Sequence, residues 1–275
     1  MPEDRTFDEI SFLRNEVRRL RHSLNVLTPG IELILKRRRF PVYKKEPADD
    51  LLIPDNEVLD DYYRMLHKYS FRLFLRDVIK HQDSFTPEQV TRYATSGVTG
   101  EYIDYLLGTG LAEKRDGGYA LTRHIKSFGE TLEWYFAEIL KREFGAEAIW
   151  GVKFKRPNIG GDYDVIAKLD ALILYAEVKS SPPRQIYDTE ISAFLDRVTD
   201  LAPEIAVFFM DTELRMKDKI VPLFEAELEK RSSGRIRVSR MEKELFQIWD
   251  RIFIINSKDS IVRNIETMLN WYFRR

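Results

Sequence analysis

The sequence predicts an α/β protein whose C-terminal part is a three-layer domain, with helices covering both faces of a sheet. One observation is the element order after residue 125, where a helical pattern is followed by three strand-like runs, a helix and another strand. A second is the apolar run at 172–175, which is typical of a central strand covered on both faces. Together they give the order α-β-β-β-α-β with extensions, an arrangement that packs in three layers.

Composition limits the classes of protein that the chain can be. Its 275 residues are 44% hydrophobic and 32% charged, which suits two globular units with full cores. No apolar run approaches the roughly 18 residues of a membrane span, and the first residues do not resemble a signal peptide. The absence of cysteine excludes disulfides and thiolate metal sites. We therefore expect a cytoplasmic protein without membrane contact.

The distribution of charge says more than the formal net charge of −1. Residues 1–45 contain 11 Lys/Arg and 6 Asp/Glu, a balance of +5, and the remainder is at −6. A nucleic-acid partner would therefore have to be bound by local patches, since the global field does not attract it.

The first segment, 1–28, is predicted to be a coiled-coil helix. Apolar residues recur at alternating steps of three and four, at Ile10, Leu13, Val17, Leu20, Leu24 and Leu27. This spacing favours a homodimer formed through the helix, and an amphipathic helix packed on the chain's own core is the alternative.

Residues 29–57 are predicted to be a basic segment followed by a linker. The run at 36–39 is Lys-Arg-Arg-Arg, which is either a solvated surface or a contact for phosphates. The stretch 46–57 contains Pro47, Pro54 and several aspartates, a composition typical of a linker.

Residues 58–124 are predicted to form a second unit. One helix is expected over 58–81, and a capping box with proline at the first helical position, 86–89, begins a short helix. A third helix is expected over 99–107, and strands at 111–115 and 119–122 are joined by an Asp-Gly-Gly turn. This order resembles a winged helix.

The third helix of that unit carries Glu101 and Asp104 and no basic residue. In a major groove it would repel phosphates, so packing against protein is favoured over reading of base sequence. Arg115 and Arg123 on the hairpin are candidates for contacts with a nucleic-acid backbone.

The third unit, 125–275, carries the residues with chemical potential. Helices are expected over 128–144, 189–199 and 213–230 and at the C-terminus, with strands near 149–154, 160–167, 172–179, 205–209 and 251–255. Residues two apart in a strand point to the same face, so Asp162 and Asp164 project together, as do Glu177 and Lys179. A tight connection at 168–171 would place the two pairs side by side.

Such a group of carboxylates with an ammonium at its edge is what metal-assisted cleavage of a phosphodiester requires. The alternative is that the aspartates are turn residues and that Glu177 and Lys179 are an ordinary cross-strand pair. Charge at the end of an apolar central strand is costly unless it is paired or bound to a metal, which favours the functional interpretation.

These residues resemble the PD-(D/E)XK, or restriction-endonuclease-like, superfamily in its resolvase-like and Mrr-like branches. The resemblance covers about residues 128–210 and depends on Glu133 in the helix, Asp164 on one strand and Glu177-Val178-Lys179 on the next. It implies an α-β-β-β-α-β nuclease-like fold and a metal-dependent nuclease acting on DNA.

The sequence departs from the family pattern in four respects. The proline that gives the motif its name is absent, and Tyr163 precedes the preferred aspartate. Asp162 competes with Asp164 for the metal position, as a neighbour or secondary ligand, and Glu130 competes with Glu133.

By the resemblance, Asp164 and Glu177 would hold Mg²⁺ or Mn²⁺, with Glu133 and the carbonyl of Val178 as further ligands. Lys179 would position or deprotonate the attacking water and offset charge on the phosphorus. In the loop that follows, Arg184 and Gln185 are candidate substrate contacts, or else part of an ordinary surface loop. The alternative function is a non-catalytic adaptor that binds nucleic acid or protein.

Overall fold

A computed structural model describes residues 28–155, 160–232 and 236–274, together with the single positions 13, 16, 19 and 20. The predicted coiled coil at 1–28 otherwise lies outside the described residues. The helices, numbered α1 to α9 in chain order, are Ile31–Arg37, Leu59–Leu66, Tyr69–Lys80, Pro87–Val90, Ser96–Gly108, Gly129–Phe144, Asp188–Leu201, Ile220–Arg231 and Ile261–Phe273. The strands, β1 to β10, are Val42–Lys44, Ala112–Arg115, Gly118–Leu121, Glu147–Phe154, Tyr163–Leu169, Leu172–Lys179, Ile205–Met210, Ser239–Glu242, Leu245–Ile248 and Ile252–Asn256.

Within the described residues, the large sheet has eight strands in the order β1-β4-β5-β6-β7-β10-β9-β8. Strands β4, β5 and β6 are antiparallel neighbours, whereas β6, β7 and β10 run parallel. The fold is therefore a mixed α/β fold in which the start of β5 and the end of β6 lie at the same end of the sheet.

Two apolar layers enclose the sheet, because successive residues of a strand face opposite sides. In β7, Phe209 packs with the core that contains α6, α9 and the second unit, and Phe208 packs with the core that contains α1, α7 and α8. All six residues of β7 are buried, as expected for a strand covered on both faces.

The second unit contains the predicted elements with one difference. The helix expected over 58–81 is two helices, α2 and α3, because Lys68 adopts an extended conformation between them. The buried Arg72 donates a 2.5 Å hydrogen bond to the carbonyl of Leu66 at the end of α2. A tertiary contact therefore satisfies the helix end, which a helical periodicity does not reveal.

The short helix α4 has its predicted cap, since the backbone N–H of Thr86 donates to the Gln89 side chain at 2.8 Å. Strands β2 and β3 pair as the predicted hairpin. Arg115 donates to Glu113, and Arg123 donates to the backbone carbonyls of Leu51 and Ile53. Both arginines thus have bonding partners within the chain, and their contacts with a nucleic-acid backbone stay a prediction.

The segment predicted as a basic stretch and linker contributes to the third unit. Strand β1 pairs with β4, which makes residues 42–44 an edge of the large sheet. In the basic run, Arg38 forms a 2.6 Å ion pair with Glu204, so its charge is already compensated within the chain. Further along, Leu51 and Leu52 are buried in the core, although no regular element surrounds them.

Two elements near the C-terminus differ from expectation. The charged helix begins at Ile220 instead of near residue 213, which places Pro222 in its first turn, where proline is tolerated. Strands β8 and β9 form a hairpin that the sequence analysis did not predict. Among the described residues, the structure has no helix with the length and apolar character that crossing a membrane requires.

Candidate active site

The candidate site lies where β5 begins and β6 ends. Val165 of β5 faces Ala176 of β6, and continuing this antiparallel register places Asp164 beside Glu177. Lys179 ends β6 and is partly exposed, whereas Glu177 is only 3% exposed. The two predicted strands therefore bring both parts of the motif to one end of the sheet.

Glu177 is the most extensively bound of the predicted residues. Its carboxylate lies 2.8 Å from Nζ of Lys179, and it accepts hydrogen bonds from Nη1 of Arg197 at 3.0 and 3.2 Å. The hydroxyl of Tyr175, on the same strand, also donates to it. Burial opposes the charge of Lys179, but the carboxylates of Glu177 and Asp164 outweigh it, so the pKa of Lys179 is raised.

Asp164 is held by the neighbouring strand. Its Oδ2 accepts a 2.7 Å hydrogen bond from the backbone N–H of Val178. Burial and the negative charge of Glu177 raise the pKa of Asp164 to about 7, although Lys179 and the N–H of Val178 act in the opposite direction. Burial and the neighbouring carboxylate thus favour the protonated form of Asp164 more than water does.

Glu133 reaches the same region from helix α6. Burial, followed by the charge of Asp164, raises the pKa of Glu133 to about 10, and the charges of Glu130, Glu177 and Asp162 contribute. Among the described residues, no Lys or Arg forms an ion pair with Glu133 or Asp164. An acidic group that burial and other acids keep protonated is a group that a cation would stabilise in its ionised form.

The two competing acids are placed differently. Asp162 forms a 2.9 Å ion pair with Lys153 and its side chain is 44% exposed, so it lies at the margin. The pKa of Glu130 is raised by burial and by Asp50, and one of its oxygens is buried without a hydrogen-bond partner. The charges of Asp164, Glu130 and Asp162 all act to raise the pKa of Glu133, so the preference for Glu133 and Asp164 over Glu130 and Asp162 stays a prediction.

The side chains of the site suit a divalent cation in their chemistry but not in their arrangement. Its donors are carboxylate oxygens, which suit Mg²⁺ and Mn²⁺. Among the described residues, the carboxyl groups of Glu133 and Asp164 form no ion pair with a Lys or Arg side chain. In the described part of the chain, however, no three acidic or histidine side chains stand close enough to share one ion. The expected convergence of three carboxylates is therefore absent from this arrangement, because Glu177 is turned to Lys179 and Arg197. The donor chemistry fits a cation, and the side chains would have to close on it.

The loop after β6 carries the remaining predicted residues. Pro183, Arg184 and Gln185 form a turn of 3₁₀ helix, in which Pro183 is buried while Arg184 and Gln185 are exposed. Both exposed side chains line a cavity that also includes Ser180 and Ser181, the residues directly after Lys179.

Sequence reasoning missed Arg197 as a site residue. Arg197 lies on α7, and its position between the buried residues Phe194 and Leu201 follows the i, i+3, i+7 spacing of the helix's apolar face. A basic residue in an apolar stripe was the signal that could have found it. It also lies against Gly161, whose positive φ of 96° and lack of a side chain leave room for the guanidinium.

Comparison with known proteins gives structural neighbours alone. No family model matches the chain, and no curated protein matches it. Similar solved structures include Can2 from Sulfobacillus thermosulfidooxidans in complex with cyclic tetra-adenylate, at 15% identity and a TM-score of 0.49, with 88% of this chain and 60% of that chain covered. Protein VC1899 from Vibrio cholerae is 13% identical, with a TM-score of 0.45 and coverages of 81% and 58%. This chain spans about three fifths of each neighbour, and with both TM-scores below 0.5 any functional inference depends on its own residues.

Proposed function

We propose that the protein is a metal-dependent nuclease of the cytoplasm, of the PD-(D/E)XK type, that hydrolyses phosphodiester bonds of DNA as a homodimer. The observation that carries the proposal is the position of Glu133, Asp164, Glu177 and Lys179 at one end of the sheet, where burial and the charge of Asp164 raise the pKa of Glu133 and burial and the charge of Glu177 raise the pKa of Asp164. Perturbed carboxyl groups gathered with an ammonium are characteristic of catalytic sites.

In the proposed reaction a water oxygen attacks phosphorus, one P–O ester bond breaks, and a phosphate monoester and a hydroxyl result. A divalent ion held by Asp164, Glu177, Glu133 and the carbonyl of Val178 would supply Lewis-acid activation. Lys179 remains protonated because its pKa is raised, so its role is to orient the water and to offset negative charge on the phosphoryl oxygens. The alternative role of Lys179 as a proton acceptor is disfavoured for the same reason.

A second candidate function is a non-catalytic adaptor that binds nucleic acid or protein. The favouring observation is that Glu177 is already satisfied by Lys179, Arg197 and the Tyr175 hydroxyl, an arrangement that is stable without a metal. In that case the site would be a structural ion-pair network.

Cleavage assays distinguish the two functions. Purified protein is incubated with plasmid, single-stranded, flapped and four-way-junction DNA in Mg²⁺, Mn²⁺ or EDTA. The nuclease cuts at least one substrate with metal and none in EDTA, and Asp164→Asn abolishes cutting while the marginal Asp162→Asn retains it. If no substrate is cut, or if Asp164→Asn cuts as well as the parent, the adaptor function replaces the nuclease.

A further inference from the structure

A cavity of about 750 Å³ separates the second unit from the end of β6. One wall is formed by helix α3 and the residues after α4, including Arg92 and Tyr93, and the opposite wall by residues 180–182, 184, 185 and 211–214. We call this cavity the interunit cleft. Since Ser180 follows Lys179 directly, the cleft opens from the catalytic strand itself.

The charge of the interunit cleft is positive. Its lining includes five basic residues and three acidic ones, which are Arg76, Lys80, Arg92, Lys126 and Arg184 against Asp77, Asp211 and Glu213. Some are neutralised by acids, as Lys80 is by Asp77 at 2.7 Å and Lys126 by Asp50 at 3.3 Å. Within the described residues, neither Arg92 nor Arg184 forms an ion pair, and both are exposed. The two walls thus each present an uncompensated guanidinium.

Aromatic surface accompanies these charges. Tyr93 is 43% exposed and lies beside Arg92, whose guanidinium is 5.2 Å from its ring centre. Tyr69 is partly exposed on the same side of the cleft. Guanidinium groups interleaved with aromatic rings suit a chain of phosphates and bases, since the former bind phosphate and the latter stack. An acidic protein segment could pair with the guanidinium groups, but it would have no bases to stack on the aromatic rings.

We propose that the interunit cleft binds the nucleic-acid strand next to the cut, with Arg92 of the second unit and Arg184 of the catalytic loop contacting its phosphates. The inference rests on the proposed function, because the occupant must reach both the cleft and Lys179. It also gives the second unit a mode of binding that differs from a winged helix reading a groove. Its third helix presents Glu101 and Asp104, and the hairpin Arg115 is paired with Glu113.

The test compares two double variants with the same loss of charge. Arg92→Ala/Arg184→Ala removes the cleft guanidiniums, and Lys114→Ala/Arg115→Ala removes two exposed charges from the hairpin of the second unit. Affinity for labelled single-stranded and duplex DNA is measured by fluorescence anisotropy in EDTA over 50–200 mM salt. Melting curves of both variants, whose altered residues are exposed, check that they remain folded.

We expect the cleft variant to bind roughly tenfold more weakly near 0.15 M salt and to have a salt slope lower by about 1.4 to 1.8, as for two lost phosphate contacts. The hairpin variant should bind like the parent. Three results would overturn the proposal that the interunit cleft binds nucleic acid. They are equal affinity of the cleft variant and the parent, a larger loss of affinity in the hairpin variant, and no binding by the parent at 50 mM salt.

The same measurements separate this proposal from the nuclease. A parent protein that binds through the cleft in EDTA and cuts no substrate with Mg²⁺ or Mn²⁺ supports the cleft and refutes the nuclease. A parent protein that cuts, with a cleft variant that binds and cuts equally well, refutes the cleft and leaves the nuclease in place. The single variant Arg92→Ala then shows whether the second unit itself contributes: unchanged affinity contradicts that part of the proposal.

Discussion

Arg197 of helix α7 donates from Nη1 to both carboxylate oxygens of Glu177, at 3.2 and 3.0 Å. Both side chains are largely buried, with 13% and 4% of their surface exposed. Lys179 is the second cation on the same carboxylate. The central acid of the motif is therefore compensated by the protein, and a divalent ion would have to share it with these two groups.

Loss of the arginine should make the protein more dependent on metal. Arg197→Met keeps an apolar stem and removes the charge, so we expect the free energy of unfolding in EDTA to fall by about 3 kcal/mol, as for a buried pair broken on one side. Added Mg²⁺ should stabilise this variant more than it stabilises the parent, because the ion replaces the lost cation. Denaturant unfolding with and without Mg²⁺ measures both effects.

The matched control is Arg38→Met, which removes a partly exposed pair with Glu204 outside the site. Its cost should be about 1 kcal/mol or less, with an unchanged response to Mg²⁺. Equal stabilisation of parent and Arg197→Met by Mg²⁺ would show that Glu177 is not a ligand.

Lys179→Ala should separate catalysis from metal binding. The ammonium stabilises charge that develops on the phosphoryl group, so its loss should slow cleavage by roughly 100-fold or more. Binding of Mn²⁺ should persist, because the carboxylates remain. Single-turnover cleavage and Mn²⁺ titration measure the two properties. Lys168→Ala, at the opposite end of β5, serves as control, and a Lys179→Ala protein that cuts at the parental rate would remove Lys179 from the mechanism.

The elements near the site could be predicted because their signals are local. Strands β5 and β6 follow from side-chain alternation and apolar runs, and their tight connection fixes the register that places Asp164 beside Glu177. The capping box at Thr86 and the turn at Gly117, with its φ of 84°, likewise lie within a few residues of sequence. These local patterns predict the strands and their register, but they do not predict catalytic activity.

Other features depend on contacts between distant segments. Arg72 donates to the carbonyl at the end of α2, where α2 and α3 separate, and β1 is an edge strand only because it pairs with β4, more than 100 residues later. Arg197 becomes a site residue because α7 packs across the end of β6. The sequence marks Arg197 only as a basic residue in an apolar stripe, and it marks the other two contacts with no periodicity, since each is decided by tertiary packing.

Raised carboxyl pKa values predict how stability changes with pH. Folding raises the pKa of Asp164 from 3.8 to about 7 and that of Glu133 from 4.5 to about 10. The native state then keeps protons that the unfolded chain releases, so stability is greatest below the unfolded pKa values and falls as pH rises towards the folded ones. In EDTA the free energy of unfolding should fall by about 1.4 kcal/mol per pH unit for each group, at pH values between its unfolded and its folded pKa.

Glu133→Gln removes one of these titrations. We expect it to be more stable than the parent at pH 8 in EDTA and to show a shallower decline between pH 5 and 9. Denaturant unfolding at several pH values measures the slope. Glu101→Gln, an exposed acid on α5, is the control and should follow the parent. A parent protein whose stability does not change between pH 5 and 8 would contradict the raised pKa values of Asp164 and Glu133.

Self-association through residues 1–28 stays a prediction. Leu13 and Leu20, seven residues apart on the predicted apolar stripe, are 54% and 50% exposed. Light scattering should give the mass of two chains for the parent and of one chain for a protein that starts at residue 29. Leu13→Asp/Leu20→Asp should also yield single chains if the stripe is the interface. A dimer that survives both changes would place the interface elsewhere.

Asp211 should be the most sensitive position outside the site. Its fully buried carboxylate pairs with Arg72 at 2.7 Å and also with Arg76, which joins helix α3 to the end of β7. Burial acts to raise the pKa of Asp211, but the two arginines outweigh it and the pKa is lowered. Asp211→Asn leaves a buried guanidinium without its counter-charge, so unfolding free energy should fall by about 3–5 kcal/mol.

The control for this variant is Asp61→Asn, since the pair of Asp61 with Arg64 is exposed and worth about 1 kcal/mol or less. Asp211 also lines the interunit cleft, and its backbone N–H donates to the carbonyl of Lys179 at 2.9 Å. We therefore expect folded Asp211→Asn protein to bind DNA more weakly than the parent, because both walls of the cleft are joined through this residue. Parental stability and parental affinity in Asp211→Asn would show that the two units are held together by their apolar core alone.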